Sequence, residues 1–244
     1  MKKIESEVKS ELKPEVRLES RPERARHGLK DPGSAITHFI GMMMTMLAAV
    51  PLLLKAAKAP DRMHLVSLGI FVVSMILLYA ASTTYHSLKV SEKAQTILRK
   101  IDHMMIFILI AGSYTPICLV VLNGTVGHVL LALVWGIAIA GIVIKFCWIT
   151  CPKWFSSALY IAMGWICLIA FSKIYAALSG PAFAWLLAGG LIYTVGGIIY
   201  ALRVPVFDAK HRNFGSHEIF HLFVMGGSLC HFILMFQYIT VFPM

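Results

Sequence analysis

The chain has 244 residues, of which 58% are hydrophobic and only 14% charged, with a mean hydropathy of +0.76. A soluble domain carries roughly a quarter charged residues, so this composition excludes a soluble enzyme and indicates an integral membrane protein. The net charge of +10 would suggest a nucleic-acid partner in a soluble chain; here its distribution speaks to orientation in a membrane, and no nucleic acid is expected.

The chain opens on a tail, residues 1–33, that alternates Lys/Arg with Glu and is broken by Pro14 and Pro22. It lacks the apolar core of a cleavable signal peptide. Ile4, Val8, Leu12 and Val16 recur every fourth residue, which is compatible with a short surface helix, but the charge pattern favours a solvated arm.

Residues 34–244 hold seven apolar stretches: Ile36–Leu54, Leu65–Tyr85, Met104–Leu122, Val129–Trp148, Phe155–Ser172, Phe183–Leu202 and Ile219–Phe242. A helix needs ~20 residues to cross a ~30 Å hydrocarbon core, so each predicts one span. The fifth is the weakest, because Lys173 follows closely and Ile174–Leu178 extends it. None shows the short alternation of a membrane barrel strand. The expected fold is all-α, a seven-transmembrane-helix bundle.

Seven spans with the amino terminus inside put eighteen Lys/Arg on the inner side and four (Lys55, Lys58, Arg62, Lys173) on the outer. The positive-inside rule therefore assigns a cytoplasmic amino terminus and an outer carboxyl terminus. Residual surface charge favours anionic lipid heads. Pro116 predicts a kink in the third span, or its accommodation by neighbours. Gly189, Gly190, Gly196 and Gly197 suit close helix packing in the sixth. The five cysteines are odd in number and mostly within spans, so they read as packing residues, with Cys147 and Cys151 spaced as a helical pair.

That orientation brings polar residues to one level. His86 ends the second span near the inner surface, with Ser82 one turn deeper on the same face. Asp102 lies where the third span starts. His217 and His221 open the seventh span, at i and i+4 on one helix face, where two imidazoles can grip one metal ion. Three imidazoles plus water make a common catalytic zinc arrangement, although iron or cobalt would accept the same ligands. Asp102 and Ser82 are candidates to orient or deprotonate the water and to hydrogen-bond it or the substrate. Each has a plainer role available: Asp102 as a helix cap, Ser82 bonded to its own helix carbonyls.

The remaining histidines rank lower. His38 suits the surroundings of the site, and His103 a position facing lipid heads. His231 lies ten residues beyond His221, roughly 15 Å deeper, as a buried hydrogen-bonding residue. His64 and His128 belong to the opposite face, His211 to a loop and His27 to the tail.

Ala81-Ser82-Thr83-Thr84-Tyr85-His86-Ser87, then Asp102 with the run Ile106–Pro116, and then Gly215-Ser216-His217 through His221 resemble the motifs of hemolysin III proteins. These group with the progestin and adipoQ receptors, including the adiponectin receptors, and more distantly with the alkaline ceramidases. The resemblance covers about residues 31–244. It implies a seven-helix bundle with zinc near the cytoplasmic face, held by His86, His217 and His221, with Ser82 and Asp102 beside the bound water. It also implies hydrolysis of a ceramide-like lipid amide for some members, and haemolysis for the bacterial branch. The family's first motif runs acidic residue, Asn, then Ile-Thr-His; here Asp31, Ser34, Ile36, Thr37 and His38 stand in its place.

Three functions compete at this stage. The first is a zinc-dependent hydrolase of a membrane lipid amide or ester, in the inner membrane of a bacterium. The second is a lytic or receptor-like protein with a structural zinc, although the spans are too apolar for a pore lining. The third takes His217-Glu218-Ile219-Phe220-His221 as the His-Glu-x-x-His of a metalloprotease, with Glu218 as base.

Overall fold

The computed structural model describes residues 28–202 and 215–243. The tail periodicity, His27, His211 and the loop cations Arg203, Lys210 and Arg212 lie outside the described residues. The elements are α1 (Pro32–Ala56), α2 (Arg62–Ser87), α3 (Glu92–Pro116) continued by a π-helical turn (Ile117–Val121), and α4 (Thr125–Cys147). They continue with α5 (Lys153–Gly164), a 3-10 stretch (Ile166–Ala170), α6 (Phe171–Ala177), α7 (Gly180–Leu202) and α8 (Ser216–Gln237), closed by a 3-10 turn (Ile239–Val241). They make seven segments long and apolar enough to cross a bilayer, the fifth being α5, the 3-10 stretch and α6 together. The all-α, seven-span bundle expected from hydropathy is the observed architecture.

The boundaries differ where charge hides a helix. α3 begins at Glu92, twelve residues before Met104, where Ser91 Oγ accepts from Ala94 N–H at 3.4 Å. Glu92, Lys93, Arg99 and Lys100 depress hydropathy there without interrupting the helix. Asp102 consequently sits well inside α3 rather than at its start, and it caps nothing. α4 ends at Cys147, so Cys147 and Cys151 do not share one helix.

Pro116 ends α3, and the chain shifts its register through the π-helical turn that follows, as expected where a residue without an N–H interrupts the ladder. The fifth span breaks at Gly164–Trp165. Tyr114 bridges the break from α3: its hydroxyl donates to Gly164 O at 2.6 Å and accepts from Cys167 N–H at 2.9 Å. Trp165 Nε1 donates to Thr194 Oγ1 at 2.9 Å, tying the same point to α7. Backbone groups freed inside a membrane need such partners, because hydrocarbon offers none.

The interior is apolar and closely packed around Leu52, Leu68, Phe71, Leu234 and Met235. Large apolar side chains such as Leu47 and Ile169 cover the outside, where lipid rather than water is the solvent. Gly189 packs on the His231 ring and Gly196 on Phe223, leaving no room for a methyl group. Gly190 differs from the sequence expectation: nothing lies within 4 Å of where its Cβ would stand. Helix α1 packs against both α2 and α8. This brings the start of α1, the end of α2 and the start of α8 to one end of the bundle.

Candidate metal centre

The start of α8 is fixed before its histidines are placed. Glu218 Oε2 accepts from Gly215 N–H at 2.8 Å, and Glu218 Oε1 accepts from Ser34 Oγ at 2.5 Å. The first bond caps α8, and the second moors it to α1. His217 and His221 then project from one face toward the last turn of α2, which carries His86.

His86, His217 and His221 each offer a ring nitrogen, and the three atoms lie within 4.8 Å of one another. His86 Nε2 and His217 Nε2 are 3.1 Å apart. Asp31 fixes the other side of the His86 ring: His86 Nδ1 donates to Asp31 Oδ2 at 2.9 Å. A carboxylate only accepts, so Nδ1 carries a proton, and Nε2 is the ring nitrogen turned toward His217. Lys30 Nζ lies 3.2 Å from the same oxygen and 3.5 Å above the Tyr85 ring. Burial works to raise the Asp31 pKa, but the hydrogen bonds from His86 and Lys30, with their charges, hold it below the ordinary carboxylate value. His221 Nδ1 lies 3.4 Å from Thr37 Oγ1, and the ring stacks on His38 at 3.6 Å with an interplanar angle of 8°.

Ser82 and Asp102 line a cavity of about 180 Å³ together with His38, His217 and His221. Ser82 Oγ is buried without a hydrogen-bond partner, so it does not bond back to its helix, and both His38 nitrogens are likewise unpartnered. Asp102 is buried, with Oδ2 3.3 Å from His103 Nδ1. His103 is itself buried rather than facing lipid heads, and its carbonyl accepts from Tyr160 Oη at 3.0 Å.

The same cavity is walled by His231, ten residues along α8 from His221 and so roughly 15 Å further along the helix. His231 is buried, with Nε2 3.3 Å from Leu186 O, as the sequence suggested. Between these levels the walls are mostly aliphatic and aromatic. Leu168, Phe171 and Leu187 line the cavity and are also exposed on the outside of the bundle. The void therefore reaches the lipid-facing surface beside the broken fifth span.

The donor set fits a divalent metal of borderline softness. Two ring nitrogens 3.1 Å apart are near the separation of two ligands on one tetrahedral ion with ~2.0 Å bonds. An Asp-held imidazole is the usual support for a metal-bound histidine. Unpartnered Ser82 Oγ supplies a polar group that a bound water or substrate would satisfy.

The Haemolysin-III related family model matches residues 27–232. This chain belongs to the haemolysin III family. It is 41% identical over 210 residues to the hemolysin-3 homolog of Bacillus subtilis, covering 86% of this chain and 94% of that protein. It is 37% identical to hemolysin-3 of Bacillus cereus, covering 84% and 90% respectively. A weaker likeness, 26% identity across 83% of this chain and 49% of the relative, reaches an adiponectin receptor protein of Drosophila melanogaster.

Within this haemolysin III chain, the three histidines chosen from sequence converge, and Ser82 and Asp102 share a cavity with two of them, His217 and His221. Sequence reasoning left Asp31 without a role, because Pro32 and Gly33 separate it from Ser34 and the motif spacing looks altered. The available signal was Pro32 itself: proline favours the first helical turn, which makes the preceding acid a cap-position residue free to reach a neighbouring helix end.

Proposed function

We propose that this protein is a zinc-dependent hydrolase of a membrane lipid, cleaving an amide or ester bond of a ceramide-like substrate. His86, His217 and His221 would hold the metal. When bound, zinc supplies a Lewis acid and a nucleophile available at neutral pH. The observation that carries this reading is that His217 and His221, which meet His86, line one end of a long apolar cavity that reaches the lipid-facing surface.

The chain's own residues supply the rest. The aliphatic walls between the His221 and His231 levels take the acyl chain and exclude water. Asp102 accepts the proton released by the attacking water, on the oxygen not engaged with His103. Ser82 Oγ donates to the substrate carbonyl and so finds the partner it otherwise lacks. Asp31 keeps the His86 proton on Nδ1 throughout.

Orientation follows the charge distribution, with the histidine end at the cytoplasmic leaflet. The Bacillus relatives support the plasma membrane of a bacterium. The metalloprotease alternative is disfavoured because both Glu218 oxygens are engaged, one by Ser34 and one by Gly215. A lytic function is the second reading, supported by the name of the Bacillus cereus relative. Purified protein carrying one zinc should hydrolyse N-acyl sphingoid or ester lipids in detergent micelles. Zinc-loaded protein inert on every such lipid, yet releasing dye from protein-free liposomes, would favour lysis instead.

A further inference from the structure

Lys145 stands in the last turn of α4 and is 1% exposed. Its Nζ donates to Cys151 Sγ at 3.1 Å and to Ser156 Oγ. The Tyr160 ring lies 5.9 Å away. Among the described residues, the ion pairs formed are those of Asp31 and Asp102, and no carboxylate lies within 4.0 Å of Lys145. A buried ammonium surrounded by neutral groups is costly and calls for a counter-charge. The group in contact that can supply one is the Cys151 thiol.

Ser156 Oγ also lies 3.3 Å from Cys151 Sγ. The three groups therefore form a closed triangle, in which each touches the other two. The positive charge of Arg99 on α3 also acts on the sulfur. Cys151 is thus in contact with a cation from α4 and a hydroxyl from α5. Burial pushes its pKa up, but the hydrogen bonds from Ser156 and Lys145 and the two cationic charges bring it below the ordinary thiol value. Cys151 sits in the short connection between α4 and α5 and is itself 6% exposed, flanked by exposed Thr150 and Pro152.

The geometry points to Cys151 as a resident thiolate, ion-paired with Lys145, and therefore as a reactive site for hydroperoxides and soft electrophiles, separate from the histidine centre. Reactive cysteines occupy such electropositive, near-surface positions. With a hydroperoxide, the thiolate attacks one peroxide oxygen: an S–O bond forms and the O–O bond breaks. Sulfur is oxidised to the sulfenic acid, while the peroxide is reduced and leaves as hydroxide or alkoxide. This inference does not depend on metal binding or on hydrolysis.

The test uses full-length protein and takes exposed Cys147 as an internal reference. Iodoacetamide labelling is followed at each cysteine, and on a free model thiol in the same solution, by mass spectrometry between about pH 6 and pH 8.5, up to the ordinary thiol value. The model thiol should slow by about tenfold per pH unit on going down through that window, while Cys151 should change by less than about twofold. In Lys145→Met, Cys151 should follow the model-thiol profile. After brief peroxide treatment, a dimedone adduct should appear on Cys151 and not on Cys147. The ultraviolet thiolate absorbance at neutral pH should fall by one thiolate in Cys151→Ala. A Cys151 that tracks the model thiol, stays unlabelled at every pH, or contributes no thiolate absorbance would overturn the inference. These wild-type and Cys151→Ala readouts decide it even where Lys145→Met does not fold.

Discussion

Asp31 and His86 are joined twice: Asp31 N–H donates to the His86 carbonyl at 2.9 Å, and His86 Nδ1 donates to Asp31 Oδ2 at 2.9 Å. The backbone bond seats the entry to α1 on the end of α2, while the side-chain bond sets the tautomer of the proposed ligand. Asp31→Asn preserves the first and removes the charge from the second. Carboxylate supports of metal-bound histidines are worth about 10–100-fold in affinity, so zinc affinity should fall by that order with the fold intact. Competition against a chromogenic chelator measures it, and an unchanged affinity would remove Asp31 from the site.

Glu218 and Asp102 are expected to separate cleanly. Glu218→Gln disturbs the mooring of α8 to Ser34 and the cap at Gly215, which should cost about 1 kcal/mol of stability while lipid turnover survives. Asp102→Asn should retain zinc and lose turnover by about 10²-fold or more, the usual contribution of a general base. Thermal unfolding and turnover on the same preparations report both. The reverse pattern would restore the protease-like reading of Glu218.

Gly190 borders the cavity, with open space where a side chain would go. Gly190→Phe has open space at its Cβ and should project its ring into the cavity. Zinc content should stay at the wild-type level while turnover of long-chain lipids falls, short-chain substrates being less affected. Equal loss on both chain lengths would argue that the cavity does not hold the acyl chain.

Tyr114 carries the repair of the fifth span. Tyr114→Phe leaves Cys167 N–H without its partner and Gly164 O with only the weak Cys167 Sγ–H donor at 3.7 Å, at a cost of about 1–3 kcal/mol. A drop in thermal midpoint with zinc still bound is the expected result. Wild-type stability would show that the break is satisfied by other groups.

How far the sequence revealed this structure depends on the kind of signal each residue gives. Spans were legible because ~20 apolar residues are needed to cross hydrocarbon, and the i, i+4 spacing of His217 and His221 is local. Their meeting with His86 followed from counting spans, since alternate crossing fixes which helix ends share a level. The early start of α3 was hidden, because Lys93, Arg99 and Lys100 near the membrane surface look like loop in a hydropathy reading. Asp31 and the Lys145–Cys151–Ser156 triangle depend on side-chain contacts between separate segments, which periodicity does not encode. Gly190 looked like its neighbour Gly189, yet one faces a ring and the other a void.

Metal analysis with X-ray absorption at the zinc edge, on purified wild type beside His86→Ala, tests the central claim most directly. The expected result is about one zinc per chain with imidazole nitrogens in its coordination shell, and at least about tenfold weaker retention in the variant. Equal zinc content and an unchanged spectrum in His86→Ala would contradict a centre shared between the second and seventh spans.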